Sequence, residues 1–410
     1  GRTPGPKPTP EKVKKPTPDV TRKPTMKPVL VIPALLFDLK IKAKVSNGKF
    51  TFIDHQLQEE TRIKDLNTTL NIDSLSKPIE LQCAFDIDAK GETEHADISL
   101  NVSLAKGGKI DPGNAKGTFN MRTGFALVTT DFDMAKFKGE GGTGLDFSMN
   151  VDLKKLTENL AGMLGLPKGM QVEGDINSKI TAHGQLEKTI GVDGSTEITN
   201  LYITGGPLEK NPIRQSNIKL TQKADIDIKN DQIAVYKIGI DSPFLEMFLA
   251  GLVTELKSTR DLNFKIFMDL DITKLMSEIG GLLPDETEIA GRLQSNMKLT
   301  GQQNIVKVNG KTDLKGLYVK MGAVGPVKEP EITINHDIVY DLGNSDLELK
   351  SFGLNTGFAE IKGSGTVINN GKIDLNVLLS SNIKRLTQGL QSVVSLPEGL
   401  DLDGEIDAEI

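Results

Sequence analysis

Leu145-Asp146-Phe147-Ser148-Met149-Asn150-Val151 places an apolar side chain at every odd position and a polar one at every even position. An extended strand with one greasy face and one wet face needs this period of two. The pattern returns at Leu262-Asn263-Phe264-Lys265-Ile266-Phe267-Met268 and at Ile373-Asp374-Leu375-Asn376-Val377-Leu378-Leu379. Directly after each copy the apolar period changes. Leu156, Leu160, Met163 and Leu164 come first, then Leu275, Ile279, Leu282 and Leu283, and finally Leu386, Leu390, Val393 and Val394. The spacing i, i+4, i+7, i+8 marks one face of a short helix. Each run ends near a proline, Pro167, Pro284 or Pro397, which cannot continue a helix.

A further strand is then expected through Gly174-Asp175-Ile176, Gly291-Arg292-Leu293 and Gly404-Glu405-Ile406. Both the prolines and these glycines recur at intervals of 117 and then 113 residues. Gly184-Gln185 and Gly301-Gln302 lie 117 apart, and Leu201-Tyr202 and Leu317-Tyr318 lie 116 apart. The chain therefore reads as an array of modules of roughly 115 residues, each strand-rich with one small helix. The expected boundaries are 1–34 for a linker, 35–143, 144–260 and 261–371 for three modules, and 372–410 for the start of another.

Alternation fills the space between these landmarks, as in Ala96-Asp97-Ile98-Ser99-Leu100-Asn101-Val102 and Ala224-Asp225-Ile226-Asp227-Ile228. Asn47-Gly48, Lys106-Gly107-Gly108 and Asn309-Gly310 supply turn signals. Tight turns between successive strands imply antiparallel pairing, because parallel pairs need long crossovers. The apolar face can be covered in three ways: stacked sandwiches, closed barrels, or one sheet curled into a trough. Sandwich cores recruit aromatics, whereas the inward candidates here are mainly Ile, Leu, Val and Met. The expected fold is all-β with a few short helices, an elongated antiparallel sheet curled into an open hydrophobic groove. Leu145, Phe147, Met149, Val151, Leu262, Phe264, Ile266, Met268, Ile373, Leu375 and Val377 are its expected lining.

Composition narrows the function. The 410 residues hold one cysteine, Cys83, so no disulfide framework supports the fold. Aromatics make up 5%, with no Trp, too few for a base-stacking platform. Residues 1–33 carry eight Lys/Arg, two acids and nine of the 19 prolines, the texture of an extended, solvated linker. The rest of the chain is acidic and a poor partner for a phosphate backbone, so no nucleic acid is expected. No run reaches the length of a membrane span. The start at Gly1 and the stop at Ile410, inside an alternating pattern, suggest a piece of a longer protein.

No catalytic constellation is visible. His55, His95, His183 and His336 are scattered without metal-ligand spacing. Gly139-Glu140-Gly141-Gly142-Thr143-Gly144 lacks the Gly-Lys-Ser/Thr ending of a phosphate loop. Asp86/Asp88, Asp225/Asp227, Asp269/Asp271 and Asp401/Asp403 are two apart on strands, the spacing of a solvated face. Neither an enzyme nor a cofactor nor a metal is expected.

The segment Leu39-Lys40-Ile41-Lys42-Ala43-Lys44-Val45-Ser46-Asn47-Gly48-Lys49-Phe50-Thr51-Phe52-Ile53-Asp54, followed by Ile63-Lys64-Asp65-Leu66-Asn67, resembles the strand–Asn-Gly–strand–Asp signature of AsmA-family proteins. The recurring strand–helix–Pro–strand–Gly unit is similar to the AsmA-like C-terminal region, over about residues 35–410. The resemblance implies a periplasmic body, anchored in the inner membrane by a helix upstream of this chain. It also implies a β-groove related to chorein-type bridge-like lipid-transfer proteins. On that expectation the chain is a non-enzymatic lipid-binding or lipid-transfer groove of the cell envelope. It shields the acyl chains of phospholipid or another acyl lipid between the two membranes, or supports outer-membrane assembly. The alternative is a structural or adhesive surface protein built of tandem β-sandwiches.

Overall fold

The computed structural model describes residues 40–410 except 55–58, 90–91, 107–108, 138–141, 161–162, 168, 210, 280–282, 285, 323, 369–371, 391–403 and 410. The expected linker at 1–34 lies outside the described residues, as do Leu282, Val393, Val394 and Pro397.

Alternating residues become strands throughout. The first stretch forms β1 (Ile41–Asp54), β2 (Glu59–Ile72), β3 (Ile79–Ala89) and β4 (Glu92–Ser103). A small hairpin of β5 (Ala105–Lys106) and β6 (Lys109–Ile110) stands apart. β7 (Lys116–Arg122), β8 (Ala126–Asp133) and β9 (Thr143–Asp152) then lead into helix α1 (Leu153–Leu160). β10 (Gln171–Gly184), β11 (Thr189–Thr204), β12 (Ile213–Asp227), β13 (Gln232–Asp241), β14 (Leu245–Thr254) and β15 (Asp261–Asp271) precede α2 (Ile272–Ile279). The last round is β16 (Thr287–Gln302), β17 (Ile305–Met321), β18 (Val324–Asp341), β19 (Asp346–Asn355), β20 (Ala359–Val367) and β21 (Ile373–Asn382), then α3 (Ile383–Leu390) and β22 (Glu405–Glu409).

Apart from the small hairpin, the 20 strands form one open antiparallel sheet that does not close into a barrel. Every strand pairs with its neighbours in sequence, and β4 passes directly to β7. With strands about 4.8 Å apart, the sheet runs roughly 90 Å in its hydrogen-bonding direction. Pairing is unbroken across 143/144, 260/261 and 371/372, through β8–β9, β14–β15 and β20–β21. Separate tandem sandwiches, the alternative architecture, are not what the chain forms.

Leu156 and Leu160 fall in α1 as the spacing predicts, and Met163 and Leu164 lie exposed beyond its described end. Gly165 comes next with φ +63°, the left-handed backbone that closes a helix, ahead of Pro167. Two turns already bring Leu156 and Leu160 into one cluster with Phe85 and Ile87 of β3, Met121 of β7 and Val151 of β9, packed around Ile87, Phe125 and Ala126. These strands span four steps of the sheet, roughly 19 Å if it were flat. One eight-residue helix, about 12 Å long, gathers side chains from all of them because the sheet is curled around it. α2 likewise reaches back to β12 and α3 to β18.

Three turns hold the helices to the sheet in the same way. Thr123-Gly124-Phe125, Ser242-Pro243-Phe244 and Thr356-Gly357-Phe358 each fold back so that the hydroxyl oxygen accepts a backbone N–H three residues on, at 2.8, 3.1 and 3.0 Å. The phenylalanine carbonyls then accept the backbone N–H of Asp152, Asp271 and Asn382 at 2.9, 2.8 and 3.2 Å. Those three residues are the helix N-caps. Their side-chain oxygens accept the N–H of Lys155, Lys274 and Arg385, each at 3.0 Å. The tandem repeat is thus a repeat of hydrogen-bonded corners as well as of strands.

Candidate functional site

Residues directly opposite in an antiparallel ladder share a face, so the register alone traces each face from end to end. Leu145, Phe147, Met149 and Val151 stand opposite Phe132, Thr130, Val128 and Ala126 on one side. On the other side they meet Ala182, Ile180, Ser178 and Ile176. β11 and β12 continue the row with Val192, Gly194, Thr196 and Ile198 and then Ala224, Gln222, Leu220 and Ile218. β13 and β14 hand it on through Ile240↔Met247 and Ile238↔Leu249 to Met268 and Ile266 of β15.

Leu262, Phe264, Ile266 and Met268 therefore lie on the same face as Phe147. Beyond them come Met297 and Leu299, Val308, Ile338 and Ile334, Leu354, and Ile361. Ile373, Leu375 and Val377 close the row opposite Val367, Gly365 and Gly363. In the other direction, Val128 and Thr130 lead through Met121 and Phe119 to Ile98 and Leu100, then Cys83 and Leu81, and finally Val45 and Ala43. All eleven expected lining residues fall on one face of one sheet. The strands between the three repeats belong to that face too. Alternation marks them in the sequence, although they carry no part of the three-fold match.

This face is only half covered. Fully buried apolar residues are few and mostly small, Ala96 and Ala182 among them, or sit under the helices, as Ile87, Phe125 and Ala126 do. Large side chains on the face stay open to solvent at both ends of the described sheet: Phe50 is 61% exposed and Ile373 63%. A closed sandwich would bury such residues almost completely.

Two pairs of hydroxyls on the face are matched to each other. Ser178 and Thr196 hydrogen-bond at 2.8 Å across β10 and β11, and Ser295 and Thr312 do so at 2.8 Å across β16 and β17. The two pairs occupy equivalent places in successive modules, and Ser295 is completely buried. Paired hydroxyls satisfy one another and leave the lane around them apolar.

The opposite face carries the charge. Arg292 donates two hydrogen bonds to Asp269, at 2.8 and 2.7 Å, and these hold the Asp269 carboxyl below its usual range. Lys219–Glu197 at 2.7 Å and Lys223–Asp193 at 3.3 Å cross neighbouring strands. His95 lies between Asp86 at 2.6 Å and Asp97 at 3.3 Å, and the hydrogen bond to Asp86 raises its pKa. The Asp pairs read from the sequence as a solvated face take part in this surface chemistry at Asp86 and Asp269. Among the described residues no helix is long and apolar enough to cross a membrane.

Each module also carries a polar residue beside its corner. Beyond a left-handed residue in β17, Gly316 (φ +61°), Leu317 pairs with Glu329 and Tyr318 with Lys328. In the second module, beyond Asn200 (φ +54°), Leu201 pairs with Gln215 and Tyr202 with Arg214. Each cation sits over its tyrosine ring, Arg214 at 5.0 Å and Lys328 at 5.7 Å from the centroid. Glu329, 5% exposed, accepts the N–H of Gly357 at 2.5 Å. Gln215 is 4% exposed, and neither amide atom has a partner among the described residues.

No protein-family model matches the chain, and no curated protein is detectably similar to it in sequence.

Proposed function

We propose that the apolar face is a lipid-holding lane, and that the chain works without covalent chemistry as an AsmA-type groove in the envelope between two membranes. The observation that carries this reading is the register. It continues one mainly apolar face through every strand pair of the main sheet, from β1 to β22, while ion pairs occupy the other. Burying a methylene is worth about 0.8 kcal/mol, so a sixteen-carbon chain exposed to water is penalised by about 12 kcal/mol. A carrier must keep contact with the chain along its whole path, and a repeat array does so because each module lengthens the same surface. Aliphatic and methionine side chains adapt to a mobile tail without demanding one shape. Half-exposed residues such as Leu375 on the lane suit an occupant that is present for only part of a cycle.

The test is native mass spectrometry of the chain purified from a membrane-containing host. Bound phospholipid is expected in the wild type and should be lost on Met149→Asp or Ile266→Asp. Protein free of lipid, with full function retained in both variants, would refute the proposal.

A further inference from the structure

Two polar side chains interrupt the lane at equivalent places in the second and third modules. Gln222 of β12 stands opposite Gly194 of β11 and Ile238 of β13. His336 of β18, 114 residues on, stands opposite Gly310 of β17 and Phe352 of β19. Their neighbours on the same face of their own strands are Leu220 and Ala224, and Ile334 and Ile338. Both side chains are half-buried, and neither has a hydrogen-bond or ion-pair partner among the described residues. Unlike those of Gln215, their polar atoms are not sealed off from solvent.

The backbone changes beside each of them. One extra residue bulges out of the next strand, Tyr236 in β13 and Lys350 in β19. The strand before supplies a glycine that makes room: the Gln222 amide oxygen lies 3.3 Å from where a Cβ on Gly194 would stand, and Met297 Cγ 2.7 Å from where one on Gly310 would. Phe119, Ile238 and Phe352 each precede their corner by four residues, so Phe119 locates the same place in the first module. There Leu100 and Leu81 replace the polar residue and the glycine, and β7 pairs on both sides without a slip. Glycine, bulge and polar side chain occur together or not at all, which separates this arrangement from a stray polar residue on an apolar face.

A hydrocarbon tail laid over either side chain strips its water, and a donor left unpaired in that way lowers affinity roughly 5- to 100-fold. An occupant that brings an acceptor to the same point escapes this loss. The acceptor nearest the tail of an acyl lipid is its carbonyl oxygen. We infer that Gln222 and His336 are stations for the acyl carbonyl, each donating a side-chain N–H to the ester or acid oxygen from which a tail runs on along the lane. This rests on the lipid reading and narrows it to lipids with ester-linked or free acyl groups. The stations lie six strands apart, roughly 29 Å. A bilayer core two tails deep is about 30 Å thick, so a tail held at one station stops short of the other and each chain has room for two lipids.

The experiment is calorimetric titration of the chain with dioctanoyl phosphatidylglycerol, with its diether analogue, which has the same headgroup and tail length but no carbonyl, and with dodecanoate. The wild type is expected to bind the diester roughly 10-fold more tightly than the diether. Gln222→Leu combined with His336→Leu should abolish that preference while the diether binds as before, which also reports that the variant is folded. Dodecanoate weakened by the two substitutions, with the diester unaffected, keeps the stations and assigns them to free acids. Diester and diether bound equally by the wild type, together with dodecanoate affinity equal in wild type and variant, overturns the stations and leaves the lane standing. A diester preference that survives both substitutions overturns them too. No binding of any of the three probes removes the lane and the stations together.

Discussion

Gly174, Gly291 and Gly404 share one backbone conformation, with φ of +131°, +144° and +142°, a region open to glycine and strained for other residues. Gly174 and Gly291 sit where the ladder slips by a residue, between Glu173 and Asp175 and between Ala290 and Arg292. A Cβ at 291 would also stand 3.2 Å from the Lys315 carbonyl oxygen. Gly291→Ala should therefore lower stability by about 1–3 kcal/mol in chemical denaturation, whereas Gly353→Ala, where a Cβ meets nothing within 4 Å, should cost far less. Gln215→Leu should go the other way and stabilise the lipid-free chain by about 1 kcal/mol, because an unpaired amide leaves the interior.

His95 gives a pH prediction. Its folded pKa is raised above 6.5 by Asp86, so the pair contributes fully below the unfolded value and fades as pH rises through the folded one. NMR titration should show that elevation, and Asp86→Asn should remove most of it. The glycine repeat was readable in the sequence as spacing, but its cause was not. A positive φ at a ladder slip is decided by the neighbouring strand.

At the scale of elements, strands were legible and the caps and turns that hold the helices were not. Period-two runs survive in the structure as β9, β15 and β21 because one face must remain wet. Beyond α1 the apolar pair Met163 and Leu164 is exposed and Gly165 has a left-handed backbone, so a glycine as well as Pro167 marks the end of the amphipathic run. The N-caps Asp152, Asp271 and Asn382 stand in plain view three residues before a basic residue, yet an Asp at the end of an alternating run also reads as one more outward polar residue. The corners are hard to read for a different reason. Thr123-Gly124-Phe125, Ser242-Pro243-Phe244 and Thr356-Gly357-Phe358 are too short to carry a period, and only their recurrence 119 and 114 residues apart identifies them. Asp271→Ala should cost about 1 kcal/mol and loosen α2, seen as faster amide exchange in Ile272–Ile279 with β15 protected as before.

At the scale of the molecule, the open sheet is an argument against self-sufficiency. A sandwich buries its apolar face within itself. This sheet leaves that face half covered over roughly 90 Å, with large side chains exposed at β1 and β21. Composition hinted at this through its shortage of aromatics, but alternation is the same for a strand in a sandwich and a strand in a trough. Only the register, strand by strand, distinguishes them. The helices then act as cross-pieces at one place in each module, where the corner ties them to strands three or four steps back.

Photocrosslinking from each face tests the central claim most directly. A benzoyl-phenylalanine placed at Phe147, Ile266 or Leu375 should form adducts with lipid in intact cells, while the adjacent positions Ser148, Lys265 and Asn376, on the charged face, should form none. Adducts from both faces alike, or from neither, would contradict a one-sided lane for acyl chains.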